Sequence, residues 1–269
     1  MEHIVSFPGL GWQFTLNRVA FQIFGKDVYW YGIIIAAGFL LAALYASTRA
    51  KEFGLKSNDI LDMLLYALPI GIVCARAYYV FFSWDQYKDH PGEIIAIWHG
   101  GLAIYGGIIG AVITVFCYCH FRKLRVGDML DVGGLGLMIG QSIGRWGNFM
   151  NAEAFGRLTD LPWRMNIGQT LQQADSMGYH PTFFYESMWN LLGFILLHFY
   201  SKKRKFSGEV FLLYVAWYGL GRFFIEGLRT DSLYVMGTGL RISQLIAIGS
   251  MAVALILIFF IRKINSLAR

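Results

Sequence analysis

Apolar residues run along this chain in long blocks, separated by short and mostly basic stretches. Seven blocks stand out, near 29–48, 58–83, 99–119, 127–146, 183–200, 208–227 and 240–262. Each approaches the ~20 residues that a helix needs to cross the hydrocarbon of a bilayer. The pattern predicts an all-α polytopic membrane protein with seven transmembrane helices, a single integral membrane domain over residues 1–269. The fourth block is the weakest, because Asp128 and Asp131 open it and glycines thin its hydropathy. Residues 1–28 precede the blocks as an outer interfacial segment. They lack a basic start, an early apolar core and a small-residue cleavage site, so no removed signal peptide is expected. Gly11 to Lys26 reads as a short amphipathic helix lying along the interface. Residues 147–182 form a small extracytoplasmic segment between the fourth and fifth helices.

Composition agrees with that class. Of 269 residues 56% are hydrophobic and 15% charged, with a mean hydropathy of +0.49; soluble domains carry about 25% charged residues. The net charge of +6 does not imply a nucleic-acid partner, because the basic residues follow membrane topology. Arg49, Lys51 and Lys56 fall in one connection, and Arg122, Lys123 and Arg125 in a second. Lys202 to Lys205 fill a third, and Arg262, Lys263 and Arg269 the tail, so thirteen of 23 basic residues lie on one face. The opposite connections mix Lys88 with Asp85, Asp89 and Glu93, and Arg229 with Asp231. The positive-inside rule then puts the N-terminus outside and the C-terminus in the cytoplasm. Cys74, Cys117 and Cys119 sit in apolar runs without metal spacing and read as buried small hydrophobes.

Orientation assigns depth to the polar residues inside the blocks. The fourth helix runs outward, so Arg145, Asn148, Asn151 and Glu153 emerge at its outer end, in the run Gly144-Arg-Trp-Gly-Asn-Phe-Met-Asn-Ala-Glu-Ala-Phe-Gly156. The sixth also runs outward; Tyr218, Arg222 and Glu226 share one stripe, which Arg229 extends to the surface. Tyr31, His180, Tyr185, Glu186, Tyr105 and Arg76 fall in the same outer half. Blander readings exist. Arg222 and Glu226 also fit an internal ion pair that only joins helices, and Tyr31 beside Tyr29 and Trp30 fits an interfacial aromatic belt. Asp62, Asp128 and Asp131 fit helix starts at the cytoplasmic ends. Glycines 136, 140 and 144, and likewise 106 and 110, fit close helix packing.

Ionisable groups at the edge of hydrocarbon are expensive and therefore point to function. The chain shows no Ser-His-Asp arrangement, no His-Glu-x-x-His and no outer aspartate cluster at metal spacing, which speaks against a serine nucleophile or metal-assisted hydrolysis. No metal or other cofactor is expected. Arginines with carboxamide donors suit a phosphodiester head group and the negative charge of a departing phosphate. A guanidinium stays protonated and makes a poor base, so a nucleophile would arrive with a second substrate.

These residues resemble the bacterial prolipoprotein diacylglyceryl transferase family. Residues 144–156 fit the signature G-R-x-G-N-F-x-N-x-E-x-[FW]-G throughout. Supporting matches are Trp30-Tyr31-Gly32, Gly100-Gly101 through Tyr105-Gly106-Gly107, His180-Pro181-Thr182 with Tyr185-Glu186, and Tyr218 to Arg222 with Glu226 and Arg229. They follow family order over residues 30–230. The resemblance implies a multi-pass enzyme of the bacterial plasma (inner) membrane with its active site facing the extracytoplasmic side. It implies two substrates: phosphatidylglycerol, and a preprolipoprotein whose signal peptide ends in a lipobox cysteine. The diacylglyceryl group passes to the cysteine thiol, a thioether forms and glycerol 1-phosphate leaves. Carried onto this chain, Arg145 holds the head group and takes up charge on the leaving phosphate, with Asn148 and Glu153 fixing orientation. Arg222 contacts the phosphate or the thiol, and Tyr31 bonds at the lipid head group. Asn151, Gly156, Tyr218, Glu226 and Arg229 complete the binding residues.

One position departs from the family pattern. Many members carry His-Gly-Gly-Leu in the third span, whereas alignment of both glycine pairs puts Tyr105 there; a literal His99-Gly-Gly-Leu102 falls on the first pair. Tyr105 is taken as the positional equivalent. Three other readings compete with the transferase: a phospholipid-binding transporter, a scaffold whose arginines only pair internally, and a lipid phosphatase. A transporter would need polar residues through the full bilayer depth, and here they stop at the outer half.

Overall fold

The computed structural model describes residues 2–167, 178–230, 234 and 238–267. Asp231 and Arg269, used in the charge pattern above, lie outside the described residues. In chain order the helices are α1 (Trp30–Arg49), α2 (Ser57–Phe82), the short α3 (Trp84–Tyr87), α4 (Ile104–Arg122), α5 (Val126–Met150), α6 (Thr182–Ser201), α7 (Glu209–Glu226) and α8 (Ile242–Leu267). The seven long ones each fall on one apolar block. Among the described residues four stretches, Trp30–Phe53, Ser57–Phe82, Ile104–Arg122 and Ile242–Leu267, are long and apolar enough to cross a membrane. That is the pattern of a polytopic membrane protein. Polar side chains dilute the other three long helices: Asp128, Asp131 and Arg145 in α5, Glu186 and Asn190 in α6, Glu209, Arg222 and Glu226 in α7. The third block starts its helix later than expected, at Ile104, because Gly100 and Gly101 take φ of 86° and 73°. Residues in that left-handed region cannot continue an α-helix.

The interfacial segment corrects an expectation. Residues 11–26 form strands rather than an amphipathic helix. Strand β1 (Glu2–Phe7) pairs antiparallel with β2 (Trp12–Asn17), and β3 (Val19–Ile23) with β4 (Lys26–Tyr29). Phe14 and Leu16, then Val19, Phe21 and Ile23, recur with the period of two that a strand requires. Phe24 and Gly25 have φ of 49° and 75°, the positive pair of a two-residue hairpin turn. Between α5 and α6, β5 (Leu158–Thr159) pairs with β7 (Gly178–Tyr179), and β6 (Asn166–Ile167) extends β1. Val5, Met165 and Phe183 form a small core there, flanked by Phe7, Leu16, Phe149, Phe155 and Ile167.

The chain divides into two compact units, Met1–Leu44 with Gly134–Arg269, and Tyr45–Gly133. In the second, glycines let α4 pack directly on α2. A Cβ at Gly106 would lie 2.4 Å from the Cys74 carbonyl oxygen and 2.8 Å from Ala75 Cα, and one at Gly110 2.8 Å from Cys74 Cβ. Arg76 is buried and donates to the carbonyls of Glu93, Ile94, Gly100 and Gly101 at 2.6–2.9 Å. It organises the loop ahead of α4. Asp59 caps α2 through the Lys56 amide and pairs with Arg122 at 3.2 Å, while Asp128 pairs with Arg125 at 2.7 Å. All three cysteines are free, but only Cys119 is buried; Cys117 is exposed and Cys74 intermediate, so burial of all three does not hold.

In the first unit α6 and α7 are locked by two indoles. Trp189 and Trp217 stack with centroids 4.4 Å apart, and each Nε1 donates to the other's carbonyl at 3.0 Å. Gly193 and Gly221 make room, since a Cβ at either would lie 2.3 or 2.2 Å from the opposing indole nitrogen. A Cβ at Gly136 or Gly144 would lie 3.4 Å from the Ala42 carbonyl oxygen or 3.2 Å from Ile35 Cδ1 of α1, whereas one at Gly140 would meet open space. The α2–α4 contact makes a paired prediction. Gly106→Leu should destabilise the protein by about 1–3 kcal/mol or more through overpacking. Gly107→Ala, whose Cβ has 3.8 Å to its nearest neighbour, should leave the thermal midpoint in detergent nearly unchanged.

Candidate functional site

Helices α5, α6 and α7 bring a carboxylate and three guanidinium groups together. Glu186 lies in the second turn of α6, with 4% of its side chain exposed. Its Oε2 pairs with Arg145 Nη2 from the last turns of α5. Its Oε1 accepts from Arg222 Nη1 of α7 at 2.9 Å and lies 3.4 Å from Arg229 Nη1 beyond that helix. Arg222 also reaches Glu226, one turn on, at 2.6 Å. The stripe read along the sixth block is therefore an ion pair, and it is one part of a larger cluster. Taking two charges out of water costs several kcal/mol per ion unless geometry and hydrogen bonds compensate. Here three guanidinium groups converge on the Glu186 carboxylate, and one of them also holds Glu226. Such a cluster favours an anion placed against it.

A second group forms where α5 ends. Glu153 Oε1 accepts from Asn148 Nδ2 at 2.9 Å and from Asn151 Nδ2 at 3.3 Å. Ala152 and Ala154 on either side have φ of 52° and 56°. Left-handed backbone at a residue other than glycine costs about 1–2 kcal/mol each, so the surroundings must impose this turn. They do so through the Glu153 amide on the Asn148 carbonyl at 3.1 Å and the Thr182 hydroxyl on the Ala154 carbonyl at 2.6 Å. Tyr31, at the start of α1, lies over Gly147, where a Cβ would come within 2.9 Å of its ring. A cleft of about 760 Å³ opens beside this group, lined by Arg18, Asp27, Tyr31, Asn151 and Glu153 among others.

Gly156 joins the two groups. Its amide donates to the His180 carbonyl at 2.9 Å, it bridges to Arg229, and a Cβ there would meet His180, Leu228 and Thr182 at 2.7–3.0 Å. Tyr218 stands one turn before Arg222 on α7, its ring 6.1 Å from Tyr214. Tyr105 belongs to the other compact unit, in the first turn of α4, and is 48% exposed. In that unit His99 Nδ1 lies 2.9 Å from Glu93 Oε2. Two residues of the site carried no role in the sequence reading. In the sequence Glu186 opens the fifth span with no partner assigned; an acid at the same outer depth as Arg145, Arg222 and Arg229 is the signal that marks it. Arg18 gave no signal at all.

Burial, with the Arg157 charge second, lowers the His180 pKa below its ordinary 6.5. The unfolded chain then binds more protons near that pH, so this stability is complete above about pH 6.5 and is lost as pH falls towards the folded-state value. Between pH 7.5 and pH 5, the thermal midpoint of the native protein should fall further than that of His180→Gln. Glu186→Ala, which removes the carboxylate that three arginines share, should cost about 3–5 kcal/mol in denaturant unfolding. Glu186→Gln keeps a carbonyl acceptor and should cost less. An unchanged midpoint for Glu186→Ala would show that the carboxylate does not hold the cluster.

The comparisons with known proteins cover nearly the whole of this architecture. Residues 18–260 match the family described as prolipoprotein diacylglyceryl transferase. A relative from Finegoldia magna, named phosphatidylglycerol–prolipoprotein diacylglyceryl transferase, is 49% identical over 243 residues, covering 90% of this chain and 94% of the relative. Relatives of the same name from Limosilactobacillus reuteri and Enterococcus faecalis are 48% and 47% identical, covering 93% of this chain in both cases and 93% and 92% of their own. With its arginine cluster and signature turn inside the matched residues, the chain belongs to the prolipoprotein diacylglyceryl transferase family.

Proposed function

We propose that this protein transfers the diacylglyceryl group of phosphatidylglycerol to the cysteine thiol of a preprolipoprotein. One observation carries the reading beyond family membership: three arginines converge on one buried carboxylate, in the same compact unit as a constrained polar turn. In the reaction a substrate thiolate attacks the sn-3 carbon of the lipid glycerol. A carbon–sulfur bond forms, the carbon–oxygen bond to phosphate breaks, and the electron pair leaves with glycerol 1-phosphate. The charge that grows on the departing oxygen is what preorganised guanidinium groups stabilise.

Arg145 holds the head-group phosphate, and Arg222 contacts the same phosphate or the incoming sulfur. A cationic surrounding also raises the thiolate fraction of the substrate cysteine. Asn148, Asn151 and Glu153 orient the head group, with Tyr31 bonding beside them, and Tyr218, Glu226 and Arg229 support the arginines. Gly156 acts through packing, as the room around it leaves no space for a side chain. Tyr105 takes the place of the family histidine. The seven long helices cross the plasma membrane with the N-terminus outside and the C-terminus inside. The cluster then faces the extracytoplasmic side, where the lipobox of a translocated signal peptide is accessible.

Purified protein supplied with phosphatidylglycerol and a peptide containing Leu-Ala-Gly-Cys tests the reading. Mass spectrometry should find a diacylglyceryl gain on cysteine, with release of glycerol 1-phosphate. Arg222→Ala and Arg145→Ala should each lower the rate by about 10²–10³, the usual loss for one charge-stabilising donor. Arg222→Lys should not restore it, since a lysine cannot reach Glu186 and Glu226 as a fork. Defined lipid binding with neither product, across several lipobox sequences, would sink the enzyme reading in favour of lipid transport.

A further inference from the structure

We infer that Arg18, in the one-residue link between β2 and β3, is a positioning residue for the reaction, acting through Glu153 and Tyr31; this rests on the transferase reading above. Its backbone carbonyl accepts from the Trp30 amide at 3.0 Å, at the first residue of α1 and next to Tyr31. Its side-chain Nη2 donates to the Asn151 carbonyl, at the head of the turn that presents Glu153. One residue thus clasps two segments that are remote in sequence, each carrying a polar side chain on the same cleft.

The turn needs such a clasp. Two consecutive alternations into left-handed backbone, at Ala152 and Ala154, are unfavourable unless external contacts hold them. Thr182 fixes the far end through the Ala154 carbonyl, and Arg18 fixes the near end through the Asn151 carbonyl. Without Arg18, the hydrogen bonds left at the near end among the described residues come from its own helix end, such as the Asn151 amide on the Gly147 carbonyl at 3.1 Å. Glu153 would then sample positions off its two carboxamide donors. A displacement of about 1 Å at a positioning group can cost about 100-fold in rate.

The test is a double-mutant cycle in the diacylglyceryl transfer assay, with Arg18→Ala, Glu153→Gln and the two combined, each checked for its thermal midpoint in detergent. Arg18→Ala should lower kcat by about 10- to 100-fold with little change in KM for the peptide. The combined variant should be no slower than Glu153→Gln alone, because interacting sites are not additive. Arg18→Lys keeps a charged donor and should recover part of the lost rate; it also serves if Arg18→Ala fails to fold. Full activity of Arg18→Ala, or losses that multiply in the combined variant, overturns the inference while the transferase reading stands. An inactive native protein removes that reading, and this inference with it.

Discussion

The buried carboxylate of Glu186 is the constraint on which the first unit depends. A carboxylate at 4% exposure must be paired, and each oxygen here takes at least one guanidinium from another segment. Arg145, Arg222 and Arg229 thereby become fixed relative to one another, though nothing in local backbone preference brings them together. The arrangement is one reason why α5, α6 and α7 are the long helices that fall short of simple membrane-span hydropathy among the described residues. They give up apolar character at Arg145, Glu186, Arg222 and Glu226 of the cluster, and also at Asp128, Asp131, Asn190 and Glu209 outside it. The helices that bear no cluster residue, α1, α2, α4 and α8, remain strongly apolar.

Much of the fold was legible because long apolar blocks need no periodicity to be recognised. Each long helix sits on its block; α8 runs past its block to Leu267, and the late start of α4 has a local cause in two left-handed glycines. The N-terminal strands were misread because short apolar runs look alike at periods of 2 and 3.6 until a partner is known. Their partners are β1, β2, β6 and one another, and none of these pairings is visible in a single strand's sequence. Glycine packing was half legible: spacing marks a smooth face, but only geometry tells which members are touched, as Gly140 shows beside Gly136 and Gly144.

The candidate site divides the same way. Arg145, Asn148, Asn151, Glu153 and Gly156 stand in one continuous run, so their proximity follows from the chain itself. The stripe of Arg222 and Glu226 followed from helical spacing. Glu186 as a shared partner did not, since Arg222 and Arg229 lie 36 and 43 residues further on. The Arg18 contact spans 133 residues and begins in a strand link, where an isolated arginine carries no information about its partner.

The reciprocal indole contact between Trp189 and Trp217 has a consequence for biogenesis. During synthesis α5 emerges first with Arg145, then α6 with Glu186, and α7 last with Arg222. Until α7 arrives, the acid has one basic neighbour of its eventual three. When it does arrive, the paired indoles and their two glycine recesses accept a single register, since a slip of one residue would break both hydrogen bonds at once. That register delivers Arg222 to Glu186. The chain thus delays the completion of its charged centre until a neutral, shape-based contact has set the alignment, and an incompletely synthesised molecule does not carry the finished anion-attracting cluster.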